Sequence, residues 1–86
     1  MNKDIEIIRK TIDSIDREIF QLLIDRLNAV TEIGQIKKQE GLPIVDQSRE
    51  QAIYDKIDSL LFLGREATFL KNIYHSIITE SKKAEE

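Results

Sequence analysis

Two cations, Arg26 and Lys37, are the side chains of this 86-residue chain best placed to do chemistry. Arg26 stands where the surrounding pattern calls for an apolar residue, and Lys37 follows eleven residues later. On an α-helix this spacing is three turns plus about 20°, so both share one face with Cα atoms about 16 Å apart. Such a pair could grip a small dianion. Arg26 would equally suit a residue that sets the helix register, or an arginine that reaches solvent or pairs with Asp25, Glu18 or an acid of another helix.

A third cation, Arg9, borders the same helical stripe. On one straight helix it would lie about 42 Å from Lys37, so it cannot share a site with Lys37 within one chain. In an antiparallel dimer, Arg9 of the partner subunit could reach that site. Taken alone, Arg9 is typical of a solvated helix charge.

The remaining candidates have ordinary structural explanations beside functional ones. Asp46 and Glu50, four residues apart at a predicted helix start, suit capping and the helix dipole. Ser81 extends the apolar side of a predicted third helix, with Glu85 one turn later, and a serine there often bonds back to the backbone. His75 has no relay or metal partner at helical spacing and is expected on the surface.

A long first helix must position these residues. Apolar residues recur at alternating steps of three and four, which is the seam of a heptad pattern. We predict a helix over about residues 4–40, ended by Gly41 and Pro43. This helix is roughly 54 Å long, whereas a compact domain of this size has a radius of gyration of only about 12 Å. The helix therefore projects beyond one chain's globule, and we expect a second chain to cover its apolar far end. The seam comprises Ile5, Ile8, Ile12, Ile15, Ile19, Leu22, Arg26, Ala29, Ile33 and Ile36.

Two shorter helices are predicted after a loop over residues 41–46. The second helix covers about residues 47–63, with Asp46 as its N-cap and Gly64 as its end. The third covers about residues 68–83, from Thr68 onward, and the charged residues after it are expected to fray. The chain is therefore expected to be one all-α domain of three helices, spanning residues 1–86.

Composition excludes several classes of function. The formal net charge is −3, and acidic and basic residues are interspersed. Because the sequence has no basic stripe with interleaved aromatics, we expect no nucleic-acid binding. Cysteine is absent, and neither a metal-ligand cluster nor a glycine-rich phosphate loop stands out, so we expect no cofactor or metal. The first ten residues mix charges with isoleucine, which predicts neither a signal peptide nor a membrane span. We expect no membrane partner and a cytoplasmic location.

Five segments together resemble the helical chorismate mutase family. The likeness covers nearly the whole chain and keeps its spacing, apart from a one-residue shortening near Gly64. The segments are 8–16 (IRKTIDSID), 23–26 (LIDR), 33–37 (IGQIK), 43–50 (PIVDQSRE) and 77–81 (IITES). The resemblance implies three helices, the first shared across an intertwined homodimer, and rearrangement of chorismate to prephenate in the shikimate pathway of aromatic amino acid biosynthesis.

The resemblance also implies roles for the cations. Arg26 and Arg9 of the partner subunit would clamp the two substrate carboxylates, assisted by Ser81. Arg49 would belong to the binding site without a defined role.

Four further positions take roles from the same resemblance. Lys37 would donate to the ether oxygen of the breaking bond, and Glu85 falls where the family has a Gln or Glu at that oxygen. Glu50, helped by backbone near Asp46, would hold the ring hydroxyl.

Two alternatives stay open at this stage. An isochorismate-pyruvate lyase uses a similar scaffold, although an acid at Glu50 favours the mutase. A non-catalytic dimerisation or regulatory module of the aromatic pathway could keep the same binding residues. The mutase reaction is intramolecular and needs no nucleophile, general base or metal, which suits a sequence that offers none.

Overall fold

The computed structural model describes residues 2–60 and 64–86, and within these ranges it contains helices and no strand. The three helices are α1 (Lys3–Glu40), α2 (Gln47–Ser59) and α3 (Gly64–Glu85). The all-α, three-helix class predicted from the sequence is confirmed.

Local signals at both ends define α1. The Asn2 side chain caps the start by accepting hydrogen bonds from the backbone N–H groups of Asp4, at 2.8 Å, and Ile5, at 3.2 Å. Gly41 ends the helix in the left-handed region, with φ of 67°, where a side chain would be strained. The helix therefore begins one residue before the expected start and ends at the expected residue, Glu40.

The predicted junction between α2 and α3 is wrong. Gly64 is the first residue of α3 rather than the end of α2, and its φ is not positive, so it does not form a left-handed cap. The third helix starts four residues before Thr68 because the segment 65–67 (REA) consists of helix formers. The second helix ends at Ser59, where Leu60 turns to extended backbone. Residues 61–63, the predicted last part of that helix, lie outside the described residues.

The end of α3 also differs from the expectation. The helix continues to Glu85 instead of stopping near residue 83, so the charged tail is helical. This extra length carries Glu85 to α1.

Helix α3 packs against both other helices. The buried hydrophobic side chains among the described residues are Ile57 of α2 and Ile78 of α3, each 6% exposed. Gly34 of α1 is buried as well, at the place where α3 approaches closely. One chain therefore encloses only a small core.

The apolar seam of α1 is largely uncovered within one chain. The described chain measures 56 × 26 × 16 Å with a radius of gyration of 16.6 Å, against about 12 Å for a compact domain of this length. The exposed seam residues are Ile5, Ile8, Ile12, Ile15, Ile19, Leu22, Ile33 and Ile36.

None of the helices in the described ranges has an apolar run able to cross a lipid bilayer.

Candidate active site

A cavity of about 240 Å³ lies where α1, the 41–46 loop, α2 and the end of α3 meet. Its apolar wall is formed by Ala29, Val30, Ile33, Ile44, Ile53 and Ile78. Its polar lining includes seven of the eight residues singled out from the sequence: Arg26, Lys37, Asp46, Arg49, Glu50, Ser81 and Glu85. The fold thus brings together residues separated by up to 59 positions in the chain.

Lys37 is the most constrained cation of the cavity. Its Nζ donates to the backbone oxygen of Ile44 at 2.9 Å and lies 2.5 Å from Oε1 of Glu85. The side chains of Lys37 and Glu85 are 17% and 11% exposed. An ammonium carries three donors, so these two partners leave one for a ligand.

Arg26 is directed to α3 rather than to an acid of its own helix. Its Nη1 donates to Oγ of Ser81, which donates in turn to the backbone oxygen of Ile77 at 2.6 Å. Asp25, an alternative partner, instead accepts from Gln21 at 2.9 Å. A hydroxyl neutralises no charge, so the guanidinium keeps its full charge at the cavity.

Gly34 permits the close crossing that delivers Glu85. A Cβ placed on Gly34 would lie 2.7 Å from both Cα and the backbone oxygen of Glu85. Since Lys37 follows Gly34 by three residues on one helix face, the crossing also sets Lys37 opposite Glu85.

The first turn of α2 supplies the opposite wall. Asp46 accepts from the backbone N–H of Arg49 at 3.0 Å, so the capping expected of Asp46 is confirmed. The Arg49 side chain lines the cavity, and the structure gives it no hydrogen-bond or ion-pair partner among the described residues. Glu50 forms an ion pair with Lys82, with 3.2 Å between Oε2 and Nζ.

Lys82 is the charged lining residue that sequence reasoning missed. The sequence pattern predicts a fraying tail at Lys82, whereas this residue lies in the last turns of α3 beside Ser81. Its position one residue after a predicted site residue was the signal available. That signal was weak, because its partner Glu50 is 32 residues away in sequence.

Arg9 lies outside this cavity. It is exposed on α1, about 42 Å along the helix axis from Lys37. His75 is exposed, as expected. Within the described residues, histidine, cysteine and carboxylate side chains nowhere gather in a group of three able to hold a metal ion.

The cavity suits a small anion with an apolar body. Its four cations outnumber its three acids, and each acid already has a partner: Lys37 for Glu85, Lys82 for Glu50, and the start of α2 for Asp46. The hydrogen-bond donors that remain available for a ligand in the cavity therefore belong to cations. It can hold a ligand by charge, hydrogen bonds and shape.

The chain is similar to known proteins. Residues 8–86 match the family model of chorismate mutase type II. The chain belongs to the chorismate mutase type II family, which confirms the resemblance found in the sequence.

Individual relatives cover different parts of the chain. A protein named chorismate mutase from Methanocaldococcus jannaschii is 45% identical over 53 residues, which are 62% of this chain and 54% of that protein. A bifunctional chorismate mutase/prephenate dehydratase from Buchnera aphidicola is 33% identical over 93% of this chain and 21% of its own length. The chain thus spans about half of the first relative and a fifth of the second.

A solved structure matches over the full length of both chains. It is a conserved hypothetical protein from Pyrococcus furiosus, with a TM-score of 0.82 and 32% sequence identity.

Proposed function

We propose that this protein is a chorismate mutase, an isomerase that converts chorismate to prephenate. One C–O bond breaks and one C–C bond forms within a single molecule, and no atom is gained or lost. The observation that carries the proposal is the grouping of Arg26, Lys37 and Arg49 around one cavity with an apolar wall. Membership of the family supports the same conclusion.

The first task of the site is to hold a flexible dianion with its reacting ends together. A guanidinium binds a carboxylate through paired, charge-assisted hydrogen bonds. Arg26, steadied by Ser81, binds one carboxylate in this scheme, and Arg49 has its side chain available for the ligand. Fixing both ends lowers the entropic part of the barrier.

The second task is to stabilise negative charge that grows on the ether oxygen as the C–O bond breaks. Lys37 has one donor left after Ile44 and Glu85, and it is mostly buried. A preorganised donor of this kind is worth roughly 10²–10³ in rate. Glu85 lies against the same ammonium, so it acts on this step directly or through Lys37.

The ring hydroxyl is assigned to the start of α2. Glu50 accepts a hydrogen bond from it, with backbone near Asp46 assisting. The apolar wall, which includes Val30 and Ile53, packs against the carbon ring.

The functional unit is a homodimer, and each site takes Arg9 from the partner subunit. Support comes from the uncovered α1 seam, whose eight large apolar residues are exposed in one chain. Burying apolar area of this kind is the main driving force for association. Arg9 of the partner subunit then binds the second carboxylate, because Arg9 of the same chain lies about 42 Å along α1 from Lys37. The cytoplasmic location expected from the sequence stays a prediction.

One assay decides among the three functions that the sequence left open. Purified protein is mixed with chorismate and, in a separate reaction, with isochorismate, and substrate loss and product are followed by absorbance and chromatography. A mutase yields prephenate. An isochorismate-pyruvate lyase leaves chorismate intact and releases pyruvate from isochorismate, and a non-catalytic module changes neither substrate.

A further inference from the structure

An ion pair between Lys82 of α3 and Glu50 of α2 lies at the edge of the cavity. Nζ of Lys82 is 3.2 Å from Oε2 of Glu50, and the side chains are 37% and 26% exposed. Both residues line the cavity. The pair therefore joins two helices beside the space that a ligand would occupy.

The Glu50 carboxylate has two opposing effects on a dianionic ligand, and the contact with Lys82 weakens the unfavourable one. An ionised carboxylate next to the binding space repels a dianion, yet it is a strong acceptor for a ligand hydroxyl. The contact with Lys82 occupies Oε2 and leaves Oε1 available. The Lys82 ammonium also offsets the negative charge of the carboxylate without blocking Oε1.

We propose that Lys82 is a positioning residue that holds the Glu50 carboxylate ready to accept the ligand's ring hydroxyl. The inference rests on the proposed function. Lys82 acts through Glu50 and does not contact the reacting atoms. Without the Lys82 ammonium, the Glu50 side chain is free to adopt other rotamers in the first turn of α2. Its uncompensated negative charge then repels a dianion.

A purely structural role for the pair is the alternative, and the chain contains a matched control for it. Lys71 of α3 pairs with Asp58 of α2 at 2.5 Å, and the Lys71 side chain is also 37% exposed. This second pair joins the same two helices without lining the cavity. Lys71→Met and Lys82→Met therefore remove the same charge and the same kind of helix link.

The experiment compares steady-state kinetics on chorismate for wild type, Lys82→Met, Lys71→Met and Lys82→Arg. The ring hydroxyl takes no part in the bonds that break or form, so we expect the loss of its contact to raise KM and to leave kcat nearly unchanged. We expect Lys82→Met to raise KM about tenfold, the effect of one charge-assisted hydrogen bond. Lys71→Met should match wild type, and Lys82→Arg should restore most of the affinity because it keeps the charge.

A double-mutant comparison tests whether Lys82 acts through Glu50. In the Glu50→Gln background, Lys82→Met should change KM by less than about twofold, since the carboxylate it positions is gone. The inference would be overturned if the effects of Lys82→Met and Glu50→Gln on KM multiplied fully. An unchanged KM in Lys82→Met, or an equal rise of KM in Lys71→Met, would also overturn it. A wild-type protein that leaves chorismate intact would instead refute the proposed function, and this inference with it.

Discussion

The Cα atom of Glu85 stands 2.7 Å from the point where a Cβ on Gly34 would lie. Real side chains do not tolerate such a distance to backbone, so any larger residue at Gly34 must push α3 away from α1. The same crossing brings Glu85 against Lys37, three residues further along α1. A backbone contact between two helices thus controls the geometry of a charged pair in the cavity.

Gly34→Ala is therefore expected to weaken both folding and activity. Overpacking of this kind costs about 1–3 kcal/mol, which outweighs the roughly 1 kcal/mol that alanine gains in helix propensity. Moving Glu85 away from Lys37 should also lower kcat/KM. Urea unfolding at one fixed protein concentration, together with kinetics on chorismate, measures the two effects.

Gly64→Ala is the control for that experiment, because a Cβ at Gly64 meets nothing within 4 Å. It should leave stability and kcat/KM unchanged or slightly raise stability. If Gly34→Ala were as stable and as active as Gly64→Ala, the close crossing would have no energetic consequence.

Glu85→Gln should increase activity. An ionised carboxylate cannot donate a hydrogen bond, and it opposes negative charge forming on a nearby ether oxygen. The amide can donate and carries no charge. We expect kcat/KM of Glu85→Gln to exceed wild type by about tenfold, which is less than the 10²–10³ of a full oxyanion donor because Lys37 already donates to the same oxygen.

Glu85→Ala completes that comparison, since it can neither donate nor repel. Its kcat/KM should fall below that of Glu85→Gln. Equal kcat/KM for wild type, Glu85→Gln and Glu85→Ala would show that Glu85 does not act at the ether oxygen and that Lys37 is the donor there.

Complementation between two inactive variants tests the contribution of Arg9 across the dimer. Arg9→Ala and Arg26→Ala homodimers should each be nearly inactive. Refolding them together should restore roughly a quarter of wild-type activity, because half of the dimers are mixed and each mixed dimer holds one intact site. If mass spectrometry shows mixed dimers and no activity returns, Arg9 does not act in trans.

Sedimentation at micromolar concentration should show two chains per particle. The reason is the exposed seam of α1, including Ile8 and Ile15, which one chain leaves in water. Ile15→Glu on this seam should dissociate the dimer, with loss of helicity and activity. A monomer that retains full helicity and activity would contradict both the dimer and the shared site.

Short-range signals account for what the sequence predicted correctly. A cap at residue 41 and the 3.6-residue period are local properties, so the extent of α1 and the shared face of Arg26 and Lys37 could be derived without tertiary contacts. The grouping of Asp46, Glu50 and Ser81 with these cations came from the family resemblance, since no spacing rule joins three separate helices.

The junction at Gly64 shows where local reasoning fails. A glycine often follows the end of a helix but can also lie at the start of the next one, and its backbone angles decide which. The sequence contains no measure of those angles.

The sequence by itself determined the three helices, the uncovered seam and the cations of α1, because each depends on neighbours within one or two turns. Only the tertiary structure decided that Gly34 touches the backbone at Glu85 and that Lys82 meets Glu50. Both contacts join residues that are far apart in the chain. They depend on how closely and at what angle α3 packs on α1 and α2, which side-chain volume at the crossing controls.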